Sequence, residues 1–240
     1  MIIKPTPWND DVLGGETVEI FLSEQKDCDF AAQIDVALSK IKRSGIIFAQ
    51  VRLDSCREKR ALLESRGFSF IDISYELTFN QPQRRTVTWK MPTGIELCLP
   101  CCEAELEFAR QVAVNDFKFG RLLEDPNINL VAAKARTGRW IDHLCNQPHK
   151  FYIAKYKGNA VGFHAELLHS DHVEWILTGV DRQYSMLAPM LWQEIFLLSR
   201  TNGCKSIRTI ISAANIGVLN VYNMFPFRVC KALYGFHWHA

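Results

Sequence analysis

Apolar positions along this chain follow two periods, and the period switches at glycines, prolines and polar clusters. Residues 17–22 read as a strand. Over 30–43 the residues Ala31, Ile34, Ala37, Leu38 and Ile41 recur at helical spacing. Lys40, Lys42, Arg43 and then Gly45 close that helix. Residues 46–51 are an apolar run that suits a buried strand. A second helix is predicted over 58–66, stopped by Gly67. A strand follows over 68–79, where Ile71, Ile73, Tyr75, Leu77 and Phe79 alternate. The order is β-α-β-α-β, and the polar residues 80–85, with Pro82, mark a boundary.

Beyond the boundary the pattern predicts a strand at 95–99 and helices over 103–114 and 130–144, with an irregular segment, 115–129, between them. Strands follow at 151–156, 160–168 and 173–180, the first two joined by the hairpin signal Lys157-Gly158-Asn159. A long apolar helix over 188–202 ends at Gly203. A β-branched strand at 206–212, a short helix at 215–224 and a strand at 228–238 complete the chain. The expected organisation is a small α/β N-terminal domain, residues 1–82, and a second domain, residues 86–240, of order β-α-α-β-β-β-α-β-α-β. No repeat of roughly 20–50 residues is visible.

Composition narrows the function. The 240 residues are 48% hydrophobic and 22% charged, which supplies a core and excludes a disordered chain. Net charge is +2, with the basic residues scattered, so no nucleic-acid partner is expected. Arg57-Glu58-Lys59-Arg60 and Arg84-Arg85 read as solvated faces. The N-terminus, with Pro5, Pro7, Asp10 and Asp11, lacks the apolar run of a signal peptide. No stretch approaches the roughly 20 apolar residues that span a bilayer. A cytoplasmic location without a membrane partner is expected. The eight cysteines then read as reduced thiols. Cys98 and Cys101 have ligand spacing but no second pair, and His237 and His239 have the wrong spacing for a helical pair, so no metal is expected.

The chemistry-bearing residues cluster late in the chain. Gly203, the strand at 206–212, Asn215, Asn220, Tyr222 and Pro226-Phe227 resemble the closing pattern of GNAT N-acyltransferases, with Pro226 in place of a usual glycine. The resemblance implies the α/β GNAT fold, a mixed central sheet flanked by helices, and acetyl-CoA or another acyl-CoA as co-substrate. It makes Tyr222 the acid that protonates the departing CoA thiolate. A phenol with a pKa near 10 holds its proton at neutral pH and suits that task. The alternative is a buried tyrosine that packs its helix on the sheet.

The same resemblance assigns cofactor binding to Thr178, Gly179 and Val180, on a strand that splays from its neighbour. Their backbone groups would pair with pantetheine and polarise the thioester. It aligns Ser185, Met186, Leu187 and Ala188 with a glycine-rich loop whose N–H groups and helix N-terminus bind the CoA pyrophosphate. Here Ser185 replaces a basic or amide residue, Ala188 and Met190 replace glycines, and Pro189 lacks an N–H. Acyl-CoA is then held in a weaker or shifted pose, or the site has been lost. Asn215 and Asn220 complete the cofactor set.

Glu174 is the candidate base for the acceptor amine, on a strand whose alternation would put Glu174, Ile176 and Thr178 on one face. Its alternative is a solvent-facing carboxylate. His164 and Glu166 share a face of the preceding strand and are second candidates.

Three further segments resemble the TDP-fucosamine acetyltransferase group, which acts on dTDP-4-amino-4,6-dideoxy sugars. They are Pro7-Trp8-Asn9-Asp10 through Gly14; Arg52 with Leu63 and Gly67-Phe68; and Phe119-Gly120-Arg121 with Asp125-Pro126-Asn127-Ile128 and Trp140-Ile141. The ending Phe236-His237-Trp238-His239 is similar too. The implied partner is a nucleotide-linked amino sugar, and a homodimer is the assembly to consider. Arg121 would pair with the nucleotide pyrophosphate, and Asp125 would bind a sugar hydroxyl or the amine. The alternative is a salt bridge between the two. Other acceptors, a protein N-terminus or an amino acid, stay open, as does a degenerate GNAT fold that binds without catalysis.

Overall fold

The structure is a computed structural model that describes residues 1–23, 29–80, 94–146 and 148–240; the polar joint at 81–85 lies outside them. The first half of the chain forms β1 (Ile2–Pro5), α1 (Pro7–Leu13), β2 (Thr17–Phe21), α2 (Phe30–Arg43), β3 (Phe48–Asp54), α3 (Arg57–Ser65) and β4 (Ser69–Asn80). The second forms β5 (Ile95–Cys98), α4 (Glu103–Asp116), α5 (Arg121–Glu124), α6 (Leu130–Leu144), β6 (Lys150–Tyr156), β7 (Asn159–Leu168) and β8 (Val173–Val180). A 3-10 helix, Arg182–Leu187, then leads into α7 (Ala188–Thr201), β9 (Ser206–Ser212), α8 (Ile216–Asn223) and β10 (Arg228–His239).

Local chemistry sets these elements. Asp29 caps α2 by accepting from the N–H groups of Ala31 and Ala32, and Ile34, Ala37, Leu38 and Ile41 bury one stripe. The β6–β7 hairpin turns on Lys157 and Gly158, at φ 50 and 80; a two-residue turn of this hand needs both in the left-handed region. Three short elements fall outside the sequence expectation. β1 has four residues, α1 seven and α5 four, too few for a period to register. α5 lies in the segment expected to be irregular.

The ten strands make one mixed sheet in the order β1-β2-β3-β10-β4-β9-β8-β7-β6-β5. The pairs β2–β3 and β8–β9 are parallel; the others are antiparallel. The last strand, β10, inserts between β3 and β4, while β4 pairs with β9. The sheet is therefore continuous between the two halves of the chain. On one face α2 and α3 cover a core of Val18, Ile20, Val51, Leu63 and Phe236. On the same face α7 and α8 cover Leu77, Trp175, Ile195, Phe196 and Ile207. The other face carries α4 and α6 over Phe151, Ile153 and Phe163, and α5 with α6 over Phe48. α1 is fixed to α6 by the Arg139–Asp11 ion pair and by Arg136 Nε donating to Asn9 Oδ1 at 2.7 Å. No helix among the described residues is long and apolar enough to cross a membrane.

Candidate functional site

β8 and β9 pair only at Val173–Ile207, Glu174–Arg208 and Trp175–Thr209. Beyond Trp175 they part. β8 stays with β7 as far as Val180, and β9 stays with β4 as far as Ser212. The cause is local. The β7–β8 register slips between Ala165 and Glu166, so Ile176 is an extra residue in β8, a bulge that bends the strand. The result is a wedge in the sheet, with unpaired backbone along the inner edges of both strands.

Thr178, Gly179 and Val180 stand on the free edge of β8. Gly179 has no room for a side chain: a Cβ there would lie 2.5 Å from the Phe163 ring and 3.0 Å from Phe117. The bulge also corrects the expected alternation. Trp175 packs toward α7, Ile176 and Leu177 both pack toward α4 and α6, and Thr178 returns to the α7 side opposite His164. Glu174 and Thr178 therefore do not share a face. Glu174 sits on the closed side of the vertex, about 13 Å along the strand from Thr178. Its carboxylate is 43% exposed and lies 3.4 Å from His169 Nε2.

Tyr222 of α8 stands at the vertex. It is 3% exposed and packs against Trp175, Trp192 and Phe227. Burial pushes its phenol up to about 12, with Thr209 and Trp192 pulling weakly the other way. Thr209 belongs to the last paired register before the wedge. Asn215 caps α8 by accepting from the Val218 N–H at 3.3 Å, and Asn220 is exposed on the same helix.

The segment aligned with a phosphate loop is not an open loop. Ser185, Met186 and Leu187 lie in the 3-10 helix, and Ala188 begins α7. The Ala188 N–H is used by Ser185 O, Pro189 has none, and Leu187 gives the helix no side-chain cap. The N-terminus of α7 thus stays uncapped but with fewer donors than a glycine loop offers. Met186 is 88% exposed. Arg182, which sequence reasoning passed over, has an exposed guanidinium at the start of this segment, with Nε 3.9 Å from Asp116 Oδ1, and its backbone N–H donates to Asp116 Oδ2.

No family model matches the sequence, and no curated protein matches it. Solved structures do. A GCN5-related N-acetyltransferase from Sphaerobacter thermophilus aligns over 93% of this chain and 72% of its own, with TM-score 0.63 and 15% identity. A tandem GNAT protein from the clavulanic acid biosynthesis pathway aligns over 93% and 75%, with TM-score 0.57 and 11% identity. A GCN5-related N-acetyltransferase from Kribbella flavida aligns over 92% and 80%, with TM-score 0.56 and 13% identity. The chain has the GNAT fold. At these identities the likeness is one of fold.

In this chain the face opposite α7 carries a buried polar row that the sequence pattern did not connect. Arg52 of β3, Gly235 of β10 and Asp72 of β4 lie side by side in the sheet. A Cβ at Gly235 would sit 1.9 Å from Asp72 Oδ1 and 3.2 Å from Arg121 Cδ, so only glycine lets both side chains cross β10. Arg121 Nη1 bonds Glu19 Oε1 at 3.2 Å. Arg52 Nη2 reaches Ser74 Oγ at 3.4 Å, and Ser74 donates to Asp72 Oδ2 at 2.6 Å. Arg136, from α6, stacks on Trp140. Burial, and then the charge of Arg121, push the Arg52 and Arg136 guanidiniums down to about 9. Ser212, at the end of β9, donates to Glu124 of α5 at 2.8 Å and ties this row to the mouth of the wedge.

Asp125 and Arg121 do not pair. Asp125 is buried, and its Oδ2 receives His237 Nδ1 at 2.6 Å and His239 Nε2 at 2.9 Å. Its Oδ1 accepts from the Asn127 N–H. Burial works to raise its carboxyl, yet the two histidines and Asn127 hold it well below the usual range. The two-residue spacing that fails on a helix puts both histidines on one face of a strand. The donor set suits a divalent cation, but these separations are those of hydrogen bonds. The second cluster, Cys101, Cys102 and Glu105, is at the start of α4, where Glu105 is engaged by Lys155 and the Cys101 N–H. All seven described cysteines are free.

Proposed function

We propose that this chain is an acyl-CoA-dependent N-acyltransferase that moves an acetyl or other acyl group to the amino group of a nucleotide-linked amino-deoxy sugar. The observation that carries the reading is the wedge between β8 and β9, with Tyr222 at its vertex. A thioester chain laid along β8 finds unpaired backbone at Thr178, Gly179 and Val180. The uncapped start of α7, with Ser185, Met186, Leu187 and Ala188 before and at its first turn, faces the phosphates, and Arg182 supplies the nearby positive charge. Asn215 caps α8 and so holds Tyr222 in place, and Asn220, exposed on the same helix, is left to the cofactor. Tyr222 keeps its proton throughout the neutral range and gives it to the thiolate as the C–S bond opens.

The acceptor half of the reading rests on the opposite face. Arg52, Arg121 and Arg136 gather with the carboxylates of Glu19, Asp72 and Glu174, and their planar donor forks match the oxygens of a pyrophosphate. In this role Arg121 exchanges Glu19 for phosphate oxygens. Asp125 holds β10 against α5 and positions Arg121. Residence is in the cytoplasm, and a homodimer is the assembly to test.

A thiol-release assay with acetyl-CoA against nucleotide-linked amino sugars, free amino sugars, amino acids and peptides tests this. Release driven by the nucleotide-linked amino sugars is the expected result. Release driven only by peptides or amino acids would replace the acceptor and keep the reaction. Absence of release, together with no calorimetric binding of acetyl-CoA at millimolar concentration, would favour a GNAT fold without catalysis. The 3-10 start of α7 and Pro189 are the observations on that side.

A further inference from the structure

We propose that Thr178, His164 and Glu166 form a proton relay that takes the proton from the attacking amine, a role that rests on the acyl-transfer reading above. His164 and Thr178 are direct partners in the β7–β8 ladder. His164 Nδ1 lies 2.9 Å from Thr178 Oγ1, and its Nε2 lies 3.5 Å from Glu166 Oε2. The His164 and Glu166 side chains are fully buried; Thr178, on the free edge of β8 beyond the vertex, is partly exposed. The arrangement depends on the bulge. Trp175 and Thr178 are three apart, and regular alternation would put them on opposite faces. The extra residue Ile176 turns Thr178 onto the face of His164, at the point where β9 leaves the sheet.

The polarity of the line follows from Glu166. His164 Nε2 and both Glu166 oxygens have no formed hydrogen bond among the described residues; the ring nitrogen, 3.5 Å from Glu166 Oε2, and the Tyr152 phenol both face that carboxylate. A buried carboxylate favours N–H at Nε2 and leaves Nδ1 as an acceptor. Thr178 then donates its hydroxyl proton inward and turns its lone pairs to the wedge. Burial pushes the His164 pKa down, against the pull of Glu166, so the ring is neutral and ready to accept. The other groups around it are few. Tyr152 of β6, whose phenol burial and Glu166 raise to about 12, stacks 6.3 Å from the ring. Lys150 stands opposite Glu166 in the ladder, Cys204 follows α7, and Ser199 of α7 is taken by Trp175 Nε1.

The step balances. The amine nitrogen attacks the thioester carbon, the N–C bond forms and the C–S bond breaks, with its electron pair on sulfur. The amine proton goes to Thr178 Oγ1 as the threonine's own proton passes to His164 Nδ1. Tyr222 protonates the sulfur. The imidazolium, held by Glu166, and the Tyr222 phenolate return to their starting states by exchange with solvent after product leaves. Thr178 is the catalytic residue of the relay; His164 and Glu166 act through it.

The test uses the full chain, acetyl-CoA and the best acceptor of the panel above. Thr178→Val should lower kcat about 100-fold with KM for acetyl-CoA little changed, the size of one lost proton-transfer group. Thr178→Ser should restore most of the rate, and His164→Gln should remove the acidic limb of the kcat–pH profile. Nitrogen NMR of the imidazoles should show His164 protonated at Nε2. Unchanged kcat and pH profile in Thr178→Val, or a His164 protonated at Nδ1, overturns the relay while leaving acyl transfer intact. If the wild type neither binds acetyl-CoA nor releases thiol, both ideas fail together. Thr178→Val and the NMR tautomer decide the matter even if His164→Gln does not fold.

Discussion

The segments β1-α1-β2-α2-β3-α3-β4 and β7-β8-α7-β9-α8-β10 run through the same sequence of elements, apart from α1 in the first and the 3-10 helix before α7 in the second. They also occupy mirrored places in the sheet order, with β4 and β10 exchanged across the centre. In each, a parallel strand pair is bridged by a helix on the same face. The difference lies inside the pair. β2 and β3 stay together over Thr17, Val18, Glu19 and Ile20, four of the five residues of β2. β8 and β9 stay together over three of the eight residues of β8. The helix that follows differs in the same sense. Asp29 fills the N-terminus of α2 with a carboxylate, whereas α7 begins at Ala188 with no side-chain cap of its own, and Asp181 caps the 3-10 helix before it. One arrangement closes a core; the other opens an edge. Topology is shared, and a bulge and a cap separate structure from site.

Five substitutions break or sharpen that comparison, the largest effect first. Phe236, on β10, is fully buried in the core of the N-terminal half. Phe236→Ala should cost about 3–5 kcal/mol. Because β10 belongs to the second segment and packs in the first, urea unfolding followed by hydrogen exchange should show both halves opening in one transition. A C-terminal half that stays protected alone would contradict the shared sheet. Tyr222→Phe should lower kcat about 100-fold at neutral pH while acetyl-CoA affinity holds; full kcat across the pH range would remove Tyr222 from the chemistry.

Asp125→Asn comes next, at about 1–3 kcal/mol near pH 7. The folded carboxyl is held below its ordinary value, so its contribution is present above about pH 4 and fades as pH falls below that. The urea midpoints of variant and wild type should therefore converge in acid. A gap of constant size would mean the loss is steric. The smallest effects belong to the caps. Asp29→Ala should cost about 1 kcal/mol of stability and leave acetyl-CoA affinity alone. Leu187→Asp should stabilise α7 by a similar amount and weaken acetyl-CoA severalfold, read by calorimetry. Equal responses from the two helices would erase the distinction drawn between them.

The elements were largely legible in the sequence. The long periodic segments 30–43, 130–144, 173–180 and 206–212 formed at their expected bounds, because each buries a regular stripe or a continuous run. Tyr222 and Asn215 were legible as a spacing, although the placement of Tyr222 at the vertex was not. What stayed hidden is whatever depends on strands distant in the chain. Arg52, Asp72 and Gly235 become neighbours only when β10 slips between β3 and β4. His237 and His239 looked misplaced because helical spacing was the test, and the strand period brings them to Asp125. The bulge at Ile176 has no signature in composition, yet it parts β8 from β9, takes Glu174 and Thr178 to different faces and sets Thr178 beside His164.

The central claim is that acyl-CoA lies in the wedge beside β8. Backbone hydrogen exchange of the full chain, with and without saturating acetyl-CoA, tests it most directly. The account predicts slowed exchange along residues 176–180 and at the first turn of α7, with no change along the closed pair at residues 17–20 and 48–51. Unchanged exchange along 176–180, or protection of the β2–β3 pair instead, would contradict it.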